Sequence, residues 1–149
     1  PVDIQTEDWG AVLFHYENGA RGSMVVSQVT GGRKNFCHFE IVGSKASIAW
    51  DVENPNEMWI GHRDQPNGIL IKDPSLMTAN ARKYNSYPGG HTEGFDDSFK
   101  QLYAAIYGYV QAGDFSQPKP FATFGDGHDE GVLCDKIVES HRSRGGVAV

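Results

Sequence analysis

The pattern of residues 10 to 72 reads as strands: short runs of apolar and β-forming residues bounded by turn signals, with two distinct faces in the second, third and fourth. Residues 10–17 are rich in β-formers, and Asn18-Gly19, a strong hairpin signal, follows. Residues 21–28 return as the second strand, with Met24 and Val26 on one face and Ser23, Val25 and Ser27 on the other. Residues 36–42 predict a third strand, with Phe36, His38, Glu40 and Val42 alternating against Cys37, Phe39 and Ile41. Residues 45–52 predict a fourth, with Ala46, Ile48 and Trp50 opposed to Ser47, Ala49 and Asp51. Residues 57–62 and 68–72 predict a fifth and a sixth. Short connections between most of these segments imply a sequential antiparallel meander.

Beyond residue 72 the period changes. Residues 73–91 are irregular, with Pro74, Pro88, Gly89 and Gly90. Residues 96–111 predict a helix. Phe95, Phe99, Leu102, Tyr103, Ile106 and Val110 form one stripe, Asp96 and Asp97 suit its N-terminus, and Gly113 stops it. Residues 115–124 hold Pro118 and Pro120 and predict a loop. Residues 127–143 predict a second helix ended by Gly145-Gly146, and residues 147–149 a last short strand. Strands first and helices later imply an α+β class: a large, mostly antiparallel open sheet with helices packed on one face. Trp50, Trp59 and the strand aromatics exceed what one small face needs, which leaves the other face available for oligomerisation.

Composition narrows the class. The chain has 149 residues, 39% hydrophobic and 21% charged, ordinary values for one globular domain. Glycine stands at 18, where average usage gives about ten, in keeping with many turns. The net charge is −6, and no basic stripe suggests nucleic acid. No apolar run approaches the roughly 20 residues that span a membrane. The N-terminal run has no basic start and no apolar stretch, unlike a signal peptide, and no initiator Met; a natural chain beginning upstream is expected. Cys37 and Cys134 have no metal or disulfide spacing and read as buried structural thiols in a reducing compartment.

Several residue groups have the right chemistry for a site. Asp126, His128 and Asp129 gather metal-ligand types, although acidic residues at a helix N-terminus also complement its dipole. The run from Gly125 to Gly131 imitates a dinucleotide fingerprint, but its third glycine position falls on Glu130 and no apolar strand precedes it. No nucleophile-elbow or Ser-x-x-Lys motif is present. His38 and Glu40 share a strand face as a polar pair. The segment 84–95 is the richest: a long loop with Tyr84, Tyr87, His91 and Glu93 enters a helix, and Gly89, Gly90 and Gly94 permit close backbone approach to a ligand. His91 suits hydrogen bonding to a polyol or acid/base work.

Four motifs, in order across almost the whole chain, add a resemblance. They are Glu7-Asp8-Trp9-Gly10 through Glu17-Asn18-Gly19-Ala20-Arg21-Gly22-Ser23; Glu40-Ile41-Val42-Gly43-Ser44-Lys45-Ala46-Ser47-Ile48-Ala49-Trp50; Gly90-His91-Thr92-Glu93-Gly94-Phe95 with Phe99; and Ala122-Thr123-Phe124-Gly125-Asp126-Gly127. The set resembles the C-terminal domain of the glucose–fructose oxidoreductase / inositol dehydrogenase family. The resemblance implies an N-terminal Rossmann domain that binds NAD or NADP, and a C-terminal domain, here 1–149 without its first part, that closes the substrate site and mediates homo-oligomerisation through sheet faces. It implies hydride transfer between nicotinamide and a sugar or polyol in a cytoplasmic enzyme. The family's catalytic Lys, in Glu-Lys-Pro, and its Asp-x-x-x-His pair have no counterpart among these residues. Catalytic and cofactor-binding residues are therefore expected upstream, no metal ligand is assigned, and the segment alone is expected to be inactive. His91, Tyr87 and Glu93 are the residues carried over, as substrate contacts. Two alternatives stay open: a non-enzymatic assembly module using the sheet face, and a metal-dependent domain built on Asp126, His128 and Asp129.

Overall fold

The computed structural model describes residues 2–4 and 6–149; Pro1 and Gln5, part of the N-terminal run considered above, lie outside the described residues. Six strands and three helices follow in the order β1 (Trp9–His15), β2 (Arg21–Ser27), β3 (His38–Val42), β4 (Ala46–Asp51), β5 (Glu57–His62), β6 (Gly68–Ile71), α1 (Ala79–Arg82), α2 (Phe95–Ala112) and α3 (Phe124–Ser143). The class is α+β with open antiparallel sheets. The chain forms two compact units, one of residues 1–34 with 122–149 and one of residues 35–121.

The first unit holds the β1–β2 hairpin and α3. Trp9 pairs with Ser27 and His15 with Arg21. The Gly19 N–H bonds back to the Tyr16 carbonyl at 3.0 Å, and the Tyr16 N–H to the Ala20 carbonyl at 3.1 Å. Gly19 sits at φ +87°, so the Asn-Gly signal is realised as a three-residue loop closed by a left-handed glycine. Thr123 caps α3, accepting from the Asp126 N–H at 3.4 Å, while the Asp126 carboxylate accepts from the Thr123 N–H at 2.6 Å. This reciprocal box starts the helix at Phe124, ahead of the residue 127 expected from its stripe.

The second unit holds the sheet β3-β4-β5-β6. The six-strand meander expected from the sequence divides here: among the described residues no ladder joins β2 to β3. Residues 28–37 separate them, longer than the loops that set hairpin register. Register builds two apolar rows across one face. Ile41, Ile48 and Ile60 stand side by side, as do Phe39, Trp50, Met58 and Leu70. The Phe39 and Trp50 rings approach to 5.7 Å, a cross-strand aromatic pair. The opposite face carries Glu40, Ala49, Trp59 and Ile69 in one row. Protection follows the strand order: residues 47–51, 58–60 and 62 in the central strands are half-buried, and both edge strands are exposed. Among the described residues only Gly61 is buried.

Three further expectations change. Residues 147–149 form no strand. The stretch 73–91 contains α1, a single turn capped by Thr78 and too short to show a periodic stripe. Cys37 and Cys134 are free but exposed, not buried. Cys37 precedes the first ladder residue of β3, and Cys134 lies on a helix without a buried residue.

Candidate functional site

The loop 84–93 is held at its base by polar contacts. Lys72, directly after β6, has its backbone N–H bonded to the Asn56 carbonyl at 2.8 Å, which ties the end of the sheet to the turn between β4 and β5. The Asn56 side chain faces Glu93 twice: its amide donates to the Glu93 carbonyl at 2.9 Å, and its oxygen accepts from the Glu93 N–H at 3.0 Å. The Lys72 ammonium reaches the Glu93 carboxylate at 2.6 Å and the Tyr87 carbonyl at 3.5 Å. The second Glu93 oxygen accepts from the Ser86 N–H at 2.6 Å. The two charged side chains are only 10% and 11% exposed.

Electrostatics favours this arrangement. Burial pushes the Glu93 carboxyl up, but the hydrogen bond from Lys72, the Ser86 N–H and the Lys72 charge together bring it below the ordinary glutamate value of 4.5. It is therefore a carboxylate at neutral pH, with both oxygens engaged.

The loop also leans on the start of α2. Gln101 donates to the Ser86 hydroxyl at 3.1 Å, and the Lys100 ammonium lies 5.0 Å from the centre of the Tyr87 ring. Asp97 accepts from the Gly94 N–H at 3.0 Å and pairs with Lys100 at 2.7 Å, which ties the helix start to the loop end. Tyr87 and His91 face outward. Tyr87 is 47% exposed, and His91 is exposed with Nδ1 3.4 Å from the Gly89 carbonyl. Of the three residues singled out in the sequence, two thus stand exposed on the loop and the third is turned into its base. Asn56 and Lys72 escaped the sequence reading. Their partner lies 37 and 21 residues away, and no local motif announces such a contact.

The other groups lie elsewhere. His38 is stacked on Phe36 at 6.3 Å and, with Asp51, Glu57 and Trp59, lines a shallow groove on the sheet. The Gly125–Gly131 run lies inside α3, and its Asp126 carboxylate bonds both the N–H and the hydroxyl of Thr123. No phosphate cradle forms there, and a dinucleotide does not fit these residues. Among the described residues no group of three or more His, Cys, Asp or Glu side chains is placed to hold a metal ion. No described helix is long and apolar enough to cross a membrane.

Comparisons with known proteins agree with the motif order. The sequence model of the "Oxidoreductase family, C-terminal alpha/beta domain" matches residues 2–149. Levoglucosan dehydrogenase of Pseudarthrobacter phenanthrenivorans is 25% identical over 150 residues, covering 94% of this chain and 35% of its own. An oxidoreductase from Sinorhizobium meliloti superposes with a TM-score of 0.85 at 26% identity, over 96% of this chain and 42% of that one. An inositol dehydrogenase homolog from Azotobacter vinelandii, complexed with NAD+, superposes with a TM-score of 0.84 at 26% identity, over 95% of this chain and 37% of that one. A second structure of that homolog holds NADH and myo-inositol. The chain spans about a third of the curated dehydrogenase it matches. With the family model matching all but its first residue, this chain belongs to the glucose–fructose oxidoreductase / inositol dehydrogenase family of oxidoreductases, to its C-terminal alpha/beta domain.

Proposed function

We propose that this chain is the substrate-binding and oligomerisation domain of a cytoplasmic NAD(P)-dependent oxidoreductase acting on a sugar or polyol. One observation carries the reading: a loop anchored by part-buried polar contacts presents Tyr87 and His91 to solvent, in a family with a solved homolog that holds NAD+ in one structure and NADH with myo-inositol in another. A phenol and an imidazole suit a polyol, because each can donate or accept a hydrogen bond to a hydroxyl. The Gly125–Gly131 run lies within α3 and forms no phosphate cradle, and the reading assigns the nicotinamide and the proton-shuttling lysine to another part of the protein. That lysine would take the hydroxyl proton as hydride leaves for nicotinamide. Tyr87 and His91 would orient the hydroxyls. The apolar rows of the four-stranded sheet, with Phe39 42% and Leu70 47% exposed, support a role in assembly.

The test uses the full-length protein and a panel of sugars and polyols that includes myo-inositol and levoglucosan. Reduction of NAD+ or NADP+ by at least one member is expected. With that member, His91→Ala should raise KM about tenfold, the loss of one hydrogen bond to a bound hydroxyl, with the nicotinamide KM unchanged. No turnover with any member, or an unmoved KM, would overturn the reading. Light scattering separates the assembly role: a monomer at all concentrations would remove it.

A further inference from the structure

We propose that the Lys72–Glu93 ion pair, together with Asn56, is a positioning device that sets where Tyr87 and His91 stand, and so governs substrate affinity. The proposal rests on the substrate-loop reading above. Glu93 was expected to touch substrate, yet both of its oxygens are spent on Lys72 and on the Ser86 N–H. One carboxylate therefore joins the end of the sheet to an amide within the loop. The same ammonium lies 3.5 Å from the carbonyl of Tyr87, so a residue assigned to substrate is held by its own backbone. The Asn56 side chain closes the base through two hydrogen bonds to the Glu93 backbone.

Apolar packing offers the loop little else, since Tyr84 and Tyr87 remain 45% and 47% exposed. Buried ion pairs add little net stability but can specify a geometry, and removing one partner strands the other charge. Without the Lys72 ammonium, the Glu93 carboxylate would turn to water and release Ser86. The loop would then sample other positions. Lys72 and Glu93 are positioning residues in this scheme; neither touches substrate.

The test compares Lys72→Met, Lys72→Arg and Glu93→Gln in the full-length protein. If the competent loop position falls to about a tenth of the population, KM for the sugar or polyol rises about tenfold. The nicotinamide KM and kcat should stay within about twofold, as for lost uniform binding. Lys72→Arg should recover most of the affinity, because it restores the charge and a donor. Hydrogen exchange of amides 84–92 should speed up in Lys72→Met and not elsewhere. Should Lys72→Met fail to fold, Glu93→Gln carries the test, since it keeps the shape and removes the charge. Unchanged exchange overturns the device. Faster exchange with an unmoved KM, alongside a raised KM in His91→Ala, overturns its role in affinity and leaves the substrate loop standing. An unmoved KM in His91→Ala overturns the underlying reading, and the role in affinity falls with it.

Discussion

Trp59 lies over Gly61, two residues on along the same strand face. A β-carbon at Gly61 would come within 2.2 Å of the indole Cη2 and 2.7 Å of Cζ3. The missing side chain is therefore what lets the ring lie along β5, flanked by Ala49 and Ile69 on the neighbouring strands. Gly61→Ala must displace the ring. Overpacking of this kind costs about 1–3 kcal/mol. Thermal unfolding should report a lower midpoint and near-UV circular dichroism a changed tryptophan band. Trp59→Phe in the same background should restore part of the loss, the mark of two coupled sites. An unchanged midpoint in the single variant would show that the ring moves aside freely.

The end of α3 contains a removable strain. Gly145-Gly146 marks the stop in the sequence, but the left-handed position falls one residue earlier, on Arg144 at φ 54° and ψ 34°. Its backbone N–H bonds to the Ser140 carbonyl, and the Gly145 N–H bonds there too at 3.3 Å. A side-chain-bearing residue pays about 1–2 kcal/mol in this region, and glycine gives back about half of that through the unfolded chain. Arg144→Gly should therefore stabilise by about 0.5–1 kcal/mol, a rise of roughly 2 °C in the midpoint. A fall in midpoint would mean that the arginine side chain makes a contact worth more than the strain.

Acid should loosen the protein in a defined window. Glu93 is held below its ordinary value of 4.5, as described. Asp97 is lowered by Lys100, Asp73 by the Ser75 hydroxyl, Asp114 by Ser116 and Asp126 by Thr123, each from 3.8. A carboxyl with a depressed folded pKa contributes stability above its unfolded value and loses it as pH falls through the folded one. The unfolding midpoint should stay flat from about pH 7 to 5 and drop below about pH 4.5, and Glu93→Gln should flatten part of that drop. A midpoint that rises on acidification would contradict the sign.

By itself the sequence determined the parts that local periodicity and turn chemistry specify. Runs of β-forming residues between turn signals located all six strands, and in the third and fourth alternation assigned the two faces, because the pleat puts successive side chains on opposite sides. Asn18-Gly19 marked the hairpin, since a left-handed residue is needed there and glycine adopts that conformation without strain. The stripe from Phe95 to Val110 marked α2. Motif order identified the family. Tertiary structure alone decided where the meander divides, because ladder partners across residues 28–37 are not encoded by any turn. It also decided the partners of Glu93. From the sequence that carboxylate reads as a substrate contact on a glycine-rich loop. In the fold a lysine 21 residues away and an asparagine 37 residues away meet it at a part-buried base, and the energy of an ion pair depends on distance and solvent exclusion, which the spacing of residues along a chain does not specify.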